Sequence, residues 1–282
     1  MINDQEGEQP KALITGFSSG IGFAYAQHLA KQGWYLELVS KDPTRAQKAH
    51  ELLAYPHSRY HLADLSNIGG IKTVTEKVDS PELIIANAGI TKFGEVGGLK
   101  ESERKDLFYL LCLGVIDLLE EYVPAMITAG KGRIVIVSSI GAITPMPKSS
   151  IYASAKSAIN SYGQSLAKEL YSKNISVTVS LPGYVKTEAH AKAGLTHLRD
   201  KVPEWMWVSA DQVVLETEKA SLNKKSKVIP GIVYKVVSPF LNMSLANKIW
   251  NKMTKRGKSQ SSIRKNFLIS PATLAGVSYI GK

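Results

Sequence analysis

Tyr152 and Lys156 stand four residues apart in SIYASAKSAINSY, a spacing that puts both side chains on one face of a helix. A phenol with a reference pKa of about 10 is a poor acid–base group at neutral pH, but an adjacent ammonium favours its phenolate. Thirteen residues before Tyr152, at the end of the strand-like run GRIVIVSS, lies Ser139, whose hydroxyl could hold a carbonyl or alcohol oxygen. The set suits moving a proton to or from an oxygen while a hydride moves at carbon. Tyr-x-x-x-Lys on its own is common by chance, so its weight comes from the company it keeps.

That company begins with TGFSSGIG at residues 15–22, placed between a first apolar run and a helical stretch. Gly16, Gly20 and Gly22 allow a tight turn and close backbone approach, and a helix start there would offer free N–H groups to a pyrophosphate. The same letters hold a rival, because GFSSG is a G-x-S-x-G string that could make Ser18 the nucleophile of a serine hydrolase. Such an enzyme would need a downstream acid and a histidine, for which His190 and His197 come late enough. No HGGG-type oxyanion segment accompanies them.

Positioning these groups falls to alternating elements. Apolar runs KALIT, WYLELV, RYHLAD, PELIIANAG, GRIVIVSS and ISVTVSLPG are separated by amphipathic stretches, the longest from about 101 to 128. This is the rhythm of repeated β-α units, hence an α/β, doubly wound parallel sheet of the Rossmann type with helices on both faces. Ligands belong at the carboxyl ends of its strands. From about residue 189 the rhythm gives way to a polar stretch, a helix predicted over Asp211 to Leu222, and the short run KVIPG.

The chain has 282 residues, a net charge of +11 and one cysteine, Cys112. One thiol excludes an internal disulfide and a multi-cysteine metal site. The polar, acidic start MINDQEGEQPK is unlike a secretory signal, and no run is apolar enough to span a bilayer, so a cytoplasmic protein is expected. The charge is unevenly placed: residues 1–218 hold 22 basic and 24 acidic side chains, residues 219–282 hold 13 basic and none acidic. A near-neutral domain is followed by a cationic extension. The six histidines show no ligand spacing; His57 and His61 are four apart across a turn and a strand, so no metal is expected.

Taken together, these motifs resemble the short-chain dehydrogenase/reductase family over roughly residues 11–190 and more loosely to about 235. The resemblance rests on TGFSSGIG, Asp64-Leu65, Asn87-Ala88-Gly89, Ser139 with Tyr152 and Lys156, and Pro182-Gly183-Tyr184-Val185-Lys186-Thr187. It implies that Tyr152 is the general acid/base, that Ser139 orients the substrate oxygen, and that Lys156 lowers the phenol pKa and holds the nicotinamide ribose. It also implies cofactor contacts from Gly16, Ser18, Ser19, Gly20, Ile21 and Gly22, from Asp64 and Leu65 near the adenine, and from Asn87, Ala88 and Gly89. Pro182, Gly183, the Val185 backbone and Thr187 would lie beside the nicotinamide. One departure stands out: the family's usual asparagine on the long fourth helix is replaced, in the alignment of LFYLLCLG, by Leu111.

At the end of the second strand stand Ser40, Lys41 and Asp42, with Arg45 after them. Lys41 aligns with a phosphate-binding position of relatives and favours NADP(H) over NAD(H); Asp42 argues the other way. The domain layout expected is a flexible 1–10, a Rossmann domain over 11–235 with a substrate lid at 189–225, and a basic extension at 236–282. Trp205, Met206 and Trp207 in that lid fit an apolar substrate or simply pack it down. The extension resembles the branch holding long-chain 3-oxoacyl-CoA reductases and hydroxysteroid dehydrogenases. Within 239–258, Leu241, Leu245, Ile249, Trp250 and Met253 alternate with Lys248, Lys252 and Lys255 as in a basic amphipathic helix. It could cover the pocket or dock on an anionic membrane surface or an acyl carrier. No nucleic-acid motif is present, and the family implies a homo-oligomer, dimer or tetramer. The expectation is therefore a carbonyl reductase or alcohol dehydrogenase; a non-catalytic NADP(H) sensor of the same fold is the alternative that Leu111 keeps open, and the Ser18 hydrolase is a distant third.

Overall fold

The computed structural model describes residues 9–92, 94–186 and 202–240. Its first half runs β1 (Lys11–Thr15), α1 (Gly20–Ala30), β2 (Tyr35–Ser40), α2 (Pro43–Leu53), β3 (Ser58–Leu62), α3 (Ile68–Thr75) and β4 (Leu83–Ala86). Next, α4 (Glu101–Phe108) passes through a π-helical turn at Tyr109–Leu113 into α5 (Gly114–Ala129), followed by β5 (Gly132–Val137), α6 (Ser150–Glu169) and β6 (Ile175–Ser180). Short strands β7 (Tyr184–Val185) and β8 (Trp207–Val208) lead to α7 (Ala210–Leu222), β9 (Lys227–Val228) and α8 (Ile232–Val237).

Seven strands form one parallel sheet in the order β3-β2-β1-β4-β5-β6-β9, and β7 pairs with β8 beside it. The order reverses between β1 and β4, which opens a crevice at their carboxyl ends. Side chains alternate across the sheet, and its central strands are buried on both faces, whereas the edge strand β3 is largely exposed. Leu13, Ile84, Ile134, Ile136, Val177 and Val179 meet Ile71, Leu118 and Ile159 of α3, α5 and α6. Ala12, Ile14, Leu83, Ile85, Val135 and Val137 meet Leu29 of α1 and Val214 of α7. Each large aliphatic side chain buried this way contributes about 1.5–3 kcal/mol, which is why these strands read as unbroken apolar runs.

The helix predicted over Asp211 to Leu222 is α7, whose inner face of Val213, Val214 and Thr217 is buried. At the other edge, Glu37 of β2 is wholly buried and accepts from Arg59 Nε and His61 Nε2 of β3, both at 2.7 Å. Burial alone would raise its carboxyl pKa; the bonds from His61 and Arg59 outweigh that and hold it below the ordinary range. His61 thus serves Glu37, while His57 lies edge-on to Tyr55, so the two do not act as a pair. Among the described residues no helix is long and apolar enough to cross a membrane, and no cluster of three or more His, Cys, Asp or Glu side chains could hold a metal.

Helix starts follow their capping residues. Asp42, Asn67 and Ser209 accept the backbone N–H of Arg45, Gly70 and Gln212 at the starts of α2, α3 and α7. Helix α1, like α6 and α8, has no side-chain cap from its N-cap residue, here Ser19, and no acidic residue in its first turn. Gly20 and Ile21 at its start line the crevice.

Candidate active site

A cleft of about 550 Å³ lies over the carboxyl ends of β1 to β4. Its walls bring together Gly16, Ser18, Ser19, Gly20 and Ile21 from the first turn, Lys41 from the end of β2, Asp64 and Leu65 after β3, and Asn87, Ala88 and Gly89 after β4. Gly22 stands one turn inside α1, where a Cβ would fall 2.3 Å from the Gly16 carbonyl oxygen and 2.6 Å from Asn87 Nδ2. The turn and the β4 end can approach this closely only without a side chain there.

Thr15 and Asn87 stitch that approach. Thr15 Oγ1 accepts from the backbone N–H of Asn87 at 2.9 Å and of Ala88 at 3.0 Å, and donates to the Ile85 carbonyl. Asn87 Nδ2 donates to the carbonyls of Thr15 at 2.9 Å and Gly16 at 3.2 Å. Thr15 was not singled out from the sequence, although it heads the glycine motif; its role appears only when the strands are seen to be neighbours.

The outer lip holds Lys41, Asp42 and Asp64. Lys41 Nζ donates to Asp64 Oδ2 at 2.7 Å, and Asp64 Oδ1 accepts from the Ser66 amide and hydroxyl. Burial would raise the Asp64 pKa, but the bonds from Lys41 and Ser66 hold it low. Asp42, at the same lip, is paired with Arg45, its Oδ1 accepting the Arg45 amide at 3.0 Å and its Oδ2 lying 3.4 Å from Arg45 Nε. Ser40 Oγ donates to Ser18 Oγ at 3.1 Å, so the hydroxyl considered as a hydrolase nucleophile pairs with a serine. Among the described residues no histidine lines this cleft, and His190 and His197 lie outside them.

Ser139, Tyr152 and Lys156, the residues expected to move the proton, sit at the next strand. Ser139 follows β5 and starts a single 3-10 turn over Ile140–Ala142, its Oγ accepting the Gly141 amide at 3.0 Å. Tyr152 is in the first turn of α6 and Lys156 one turn on. Two bonds fix α6 against the β5 end: Ser138 Oγ donates to the Lys156 carbonyl, and Ser157 Oγ to the Ala142 carbonyl, each at 2.8 Å. Ser138 and Ser157 are thus supporting groups that spacing could not distinguish from other serines nearby.

Lys156 is 6% exposed and donates from Nζ to the Val137 carbonyl at 2.7 Å. Burial pulls its pKa down to about 8, opposed by the neighbouring Cys112 thiol, whose own pKa burial pushes up. Leu111, in the π-helical turn, fills the space beside them. A Cβ on Gly89 would lie 2.9 Å from Leu111 Cδ2 and 3.9 Å from Lys156 Nζ. The substitution noted in the sequence therefore falls next to the lysine, and an aliphatic side chain stands there. The helix expected from 101 to 128 is present, but its π turn left no mark in the apolar pattern.

Pro182, Gly183 and Val185 follow β6, with the Pro182 carbonyl accepting the Ile140 amide at 2.9 Å, so this segment abuts the Ser139 turn. Thr187, the expected lid over 189–201, and the extension beyond Phe240 lie outside the described residues. Of the lid aromatics, Trp205 is 59% exposed whereas Met206 is fully buried and Trp207 packs on Tyr184.

Comparison with known proteins agrees with this arrangement. The family model for short chain dehydrogenase matches residues 10–197. Nodulation protein G from Rhizobium sp. (strain N33) is 31% identical over 183 residues, which are 63% of this chain and 74% of that protein. The 3-oxoacyl-acyl-carrier-protein reductase of Escherichia coli (strain K12) is 28% identical over 181 residues, with 63% and 74% covered. A short-chain dehydrogenase from Sphingobium yanoikuyae, solved in complex with NADPH, superposes with a TM-score of 0.73 at 25% identity over 90% of this chain and 99% of that one. With a dinucleotide crevice, a tyrosine–lysine helix and a serine held against it, the chain belongs to the short-chain dehydrogenase family, whose oxidoreductases act between carbonyl and alcohol.

Proposed function

We propose that the chain is an NADP(H)-dependent reductase of an apolar ketone, aldehyde or 3-oxoacyl group. The observation that carries the chemistry is the dry ammonium of Lys156 one helical turn from Tyr152. The cleft suits a nicotinamide dinucleotide: the start of α1, which has no side-chain cap from Ser19, lines it, and the absent Cβ atoms of Gly16 and Gly22 let the first turn close on Asn87 and Ala88. Gly16, Ser18, Ser19, Gly20, Ile21 and Gly22 would hold that pyrophosphate, Asp64 and Leu65 the adenine, and Asn87, Ala88 and Gly89 the middle of the molecule. Pro182, Gly183, Val185 and Thr187 would take the nicotinamide, and NADPH bound so supplies a hydride.

Ser139 accepts from Gly141, which leaves its own O–H to donate to the substrate oxygen. Tyr152 delivers its phenolic proton to that oxygen, and the Lys156 charge stabilises the phenolate that remains. Preference for the 2′-phosphate rests on Lys41 at the lip and on the engagement of Asp42 with Arg45, which takes the obvious carboxylate away from the ribose hydroxyls.

The apolar substrate follows from the lid, where Trp205 is exposed beside buried Met206 and Val208, and from the resemblance of the extension to long-chain reductases. A homo-oligomer of the family's kind, residence in the cytoplasm, and contact of 239–258 with an anionic membrane surface or acyl carrier belong to the same reading. The deciding experiment follows NADPH and NADH oxidation over 3-oxoacyl thioesters, steroids, aldehydes and small ketones, with Tyr152→Phe alongside. Tyr152→Phe should lose turnover by at least about a hundredfold while NADPH binding stays within about twofold. Retained turnover refutes the role of Tyr152, and a tenfold preference for NADH refutes the cofactor assignment.

A further inference from the structure

Behind the Pro182–Val185 segment lies a residue that belongs to neither the cofactor motifs nor the proton-transfer set. Tyr234, the middle of α8, is wholly buried. Its hydroxyl accepts from the Tyr184 amide at 2.8 Å and donates to the Met206 carbonyl at 2.6 Å. Its ring lies flat against Gly183, where an added Cβ would sit 1.9–2.3 Å from three ring carbons. A side chain at position 183 is thus incompatible with the Tyr234 ring in its place, and the ring would have to move to admit one.

The two groups joined by this hydroxyl belong to different parts of the site. Tyr184 opens β7, which continues from the segment abutting Ser139; Met206 directly precedes β8 of the lid. β7 and β8 share only the register pairs Tyr184–Trp207 and Val185–Val208, and the Lys186 amide donates to the Val208 carbonyl at 2.9 Å. A ladder this short is weak by itself. α8 in turn is fastened to α7, where the Glu216 carboxylate takes Lys235 Nζ at 2.6 Å and the Gly231 amide at 3.3 Å. Tyr234 therefore stands on an anchored base.

We propose that Tyr234 is a positioning residue that locks the Pro182–Val185 segment and the lid strand into one unit, so that the nicotinamide end of the cofactor and the cover over the substrate are set together. The proposal rests on the reductase reading above, in which that segment meets the nicotinamide. A buried hydroxyl with a donor on one side and an acceptor on the other cannot be deleted without leaving both unpaired, which is worth a factor of about five to ten or more in an equilibrium.

The test compares wild type, Tyr234→Phe and Gly183→Ala for binding of NADPH and of adenosine 2′,5′-bisphosphate, which carries the phosphate end without the nicotinamide. Tyr234→Phe keeps the ring that fills the core, and a thermal melt checks that it folds. NADPH affinity should fall about five- to tenfold, kcat should fall with it, and the bisphosphate should bind within about twofold of wild type. Gly183→Ala should reproduce this pattern, and Tyr234→Leu, which vacates the ring's space, should lessen the cost of Gly183→Ala. Unchanged NADPH affinity in Tyr234→Phe, equal loss of both ligands, or strictly additive effects of Gly183→Ala and Tyr234→Leu would each overturn the proposal. Wild-type protein that binds NADH in place of NADPH would break the cofactor reading alone; the comparison is then repeated with NADH and adenosine monophosphate and judges Tyr234 as before.

Discussion

Two lysines bear on the site, Lys41 in the wall of the cleft and Lys156 buried behind Gly89, and the two are built oppositely. Lys41, 70% exposed, is paired with Asp64 at 2.7 Å. Lys156, 6% exposed, has a backbone carbonyl for a partner, with Leu111 and Cys112 close by. A wet, paired ammonium keeps its charge at little cost and can exchange its partner for a phosphate, so it serves affinity. A dry ammonium has a lowered pKa and acts strongly on whatever charge develops beside it, so it serves chemistry.

Removing the dry lysine should have the largest effect. Lys156→Met keeps most of the volume and deletes the charge, and kcat for carbonyl reduction should drop about 10²- to 10⁴-fold. Stability should move the other way or stay put, because a buried cation without a carboxylate partner is unfavourable to folding. A steady-state assay with a thermal melt separates the two. A variant that melts earlier while keeping its turnover would mean that Lys156 is structural.

Changing the wet lysine should spare kcat. Lys41→Ala is expected to raise the KM for NADPH about tenfold and to leave the KM for NADH within about twofold, the size of one lost charge-assisted bond to a phosphate. The melt should hardly shift, since an exposed pair contributes about 0–1 kcal/mol. Equal changes for both nucleotides would remove Lys41 from the phosphate-binding role and erase the contrast between the two lysines.

How far each lysine's setting was legible in the sequence differs for the same physical reason. The sheet announces itself because strands covered on both faces must be apolar throughout, as in KALIT and GRIVIVSS, and the helix caps at Asp42 and Ser209 obey local rules. The turn at 15–22 and the four-residue spacing of Tyr152 and Lys156 are local as well. What stayed hidden depends on neighbours distant in the chain. Thr15 meets Asn87 across the strand-order reversal. Tyr234 reaches Tyr184, fifty positions earlier in the sequence. The π turn is the subtlest case, since Tyr109–Leu113 carries the same apolar letters as an α-helix and differs only in where its carbonyls point.

The smallest predicted effect would blur the contrast by wetting the dry lysine. Leu111→Asn puts an amide beside Gly89 and Lys156 in a turn whose π-helical backbone already departs from the regular ladder. Lys156 carries its charge below about pH 8 and loses it above, so reductive kcat in the wild type should decline as pH rises through that value. An amide, or a water that it admits, relieves the desolvation that lowers this pKa, so the decline in Leu111→Asn should shift to higher pH. Stability carries the complementary sign. The folded-state pKa lies below the ordinary 10.5, so between about 8 and 10.5 the unfolded chain binds more protons and wild-type stability gains with pH. Leu111→Asn should flatten that gain. Parallel pH series of kcat and of urea midpoints test both, and a kcat decline that stays in place while the urea series flattens would mean that another group sets the alkaline limb and that the buried charge of Lys156 is not what limits reduction.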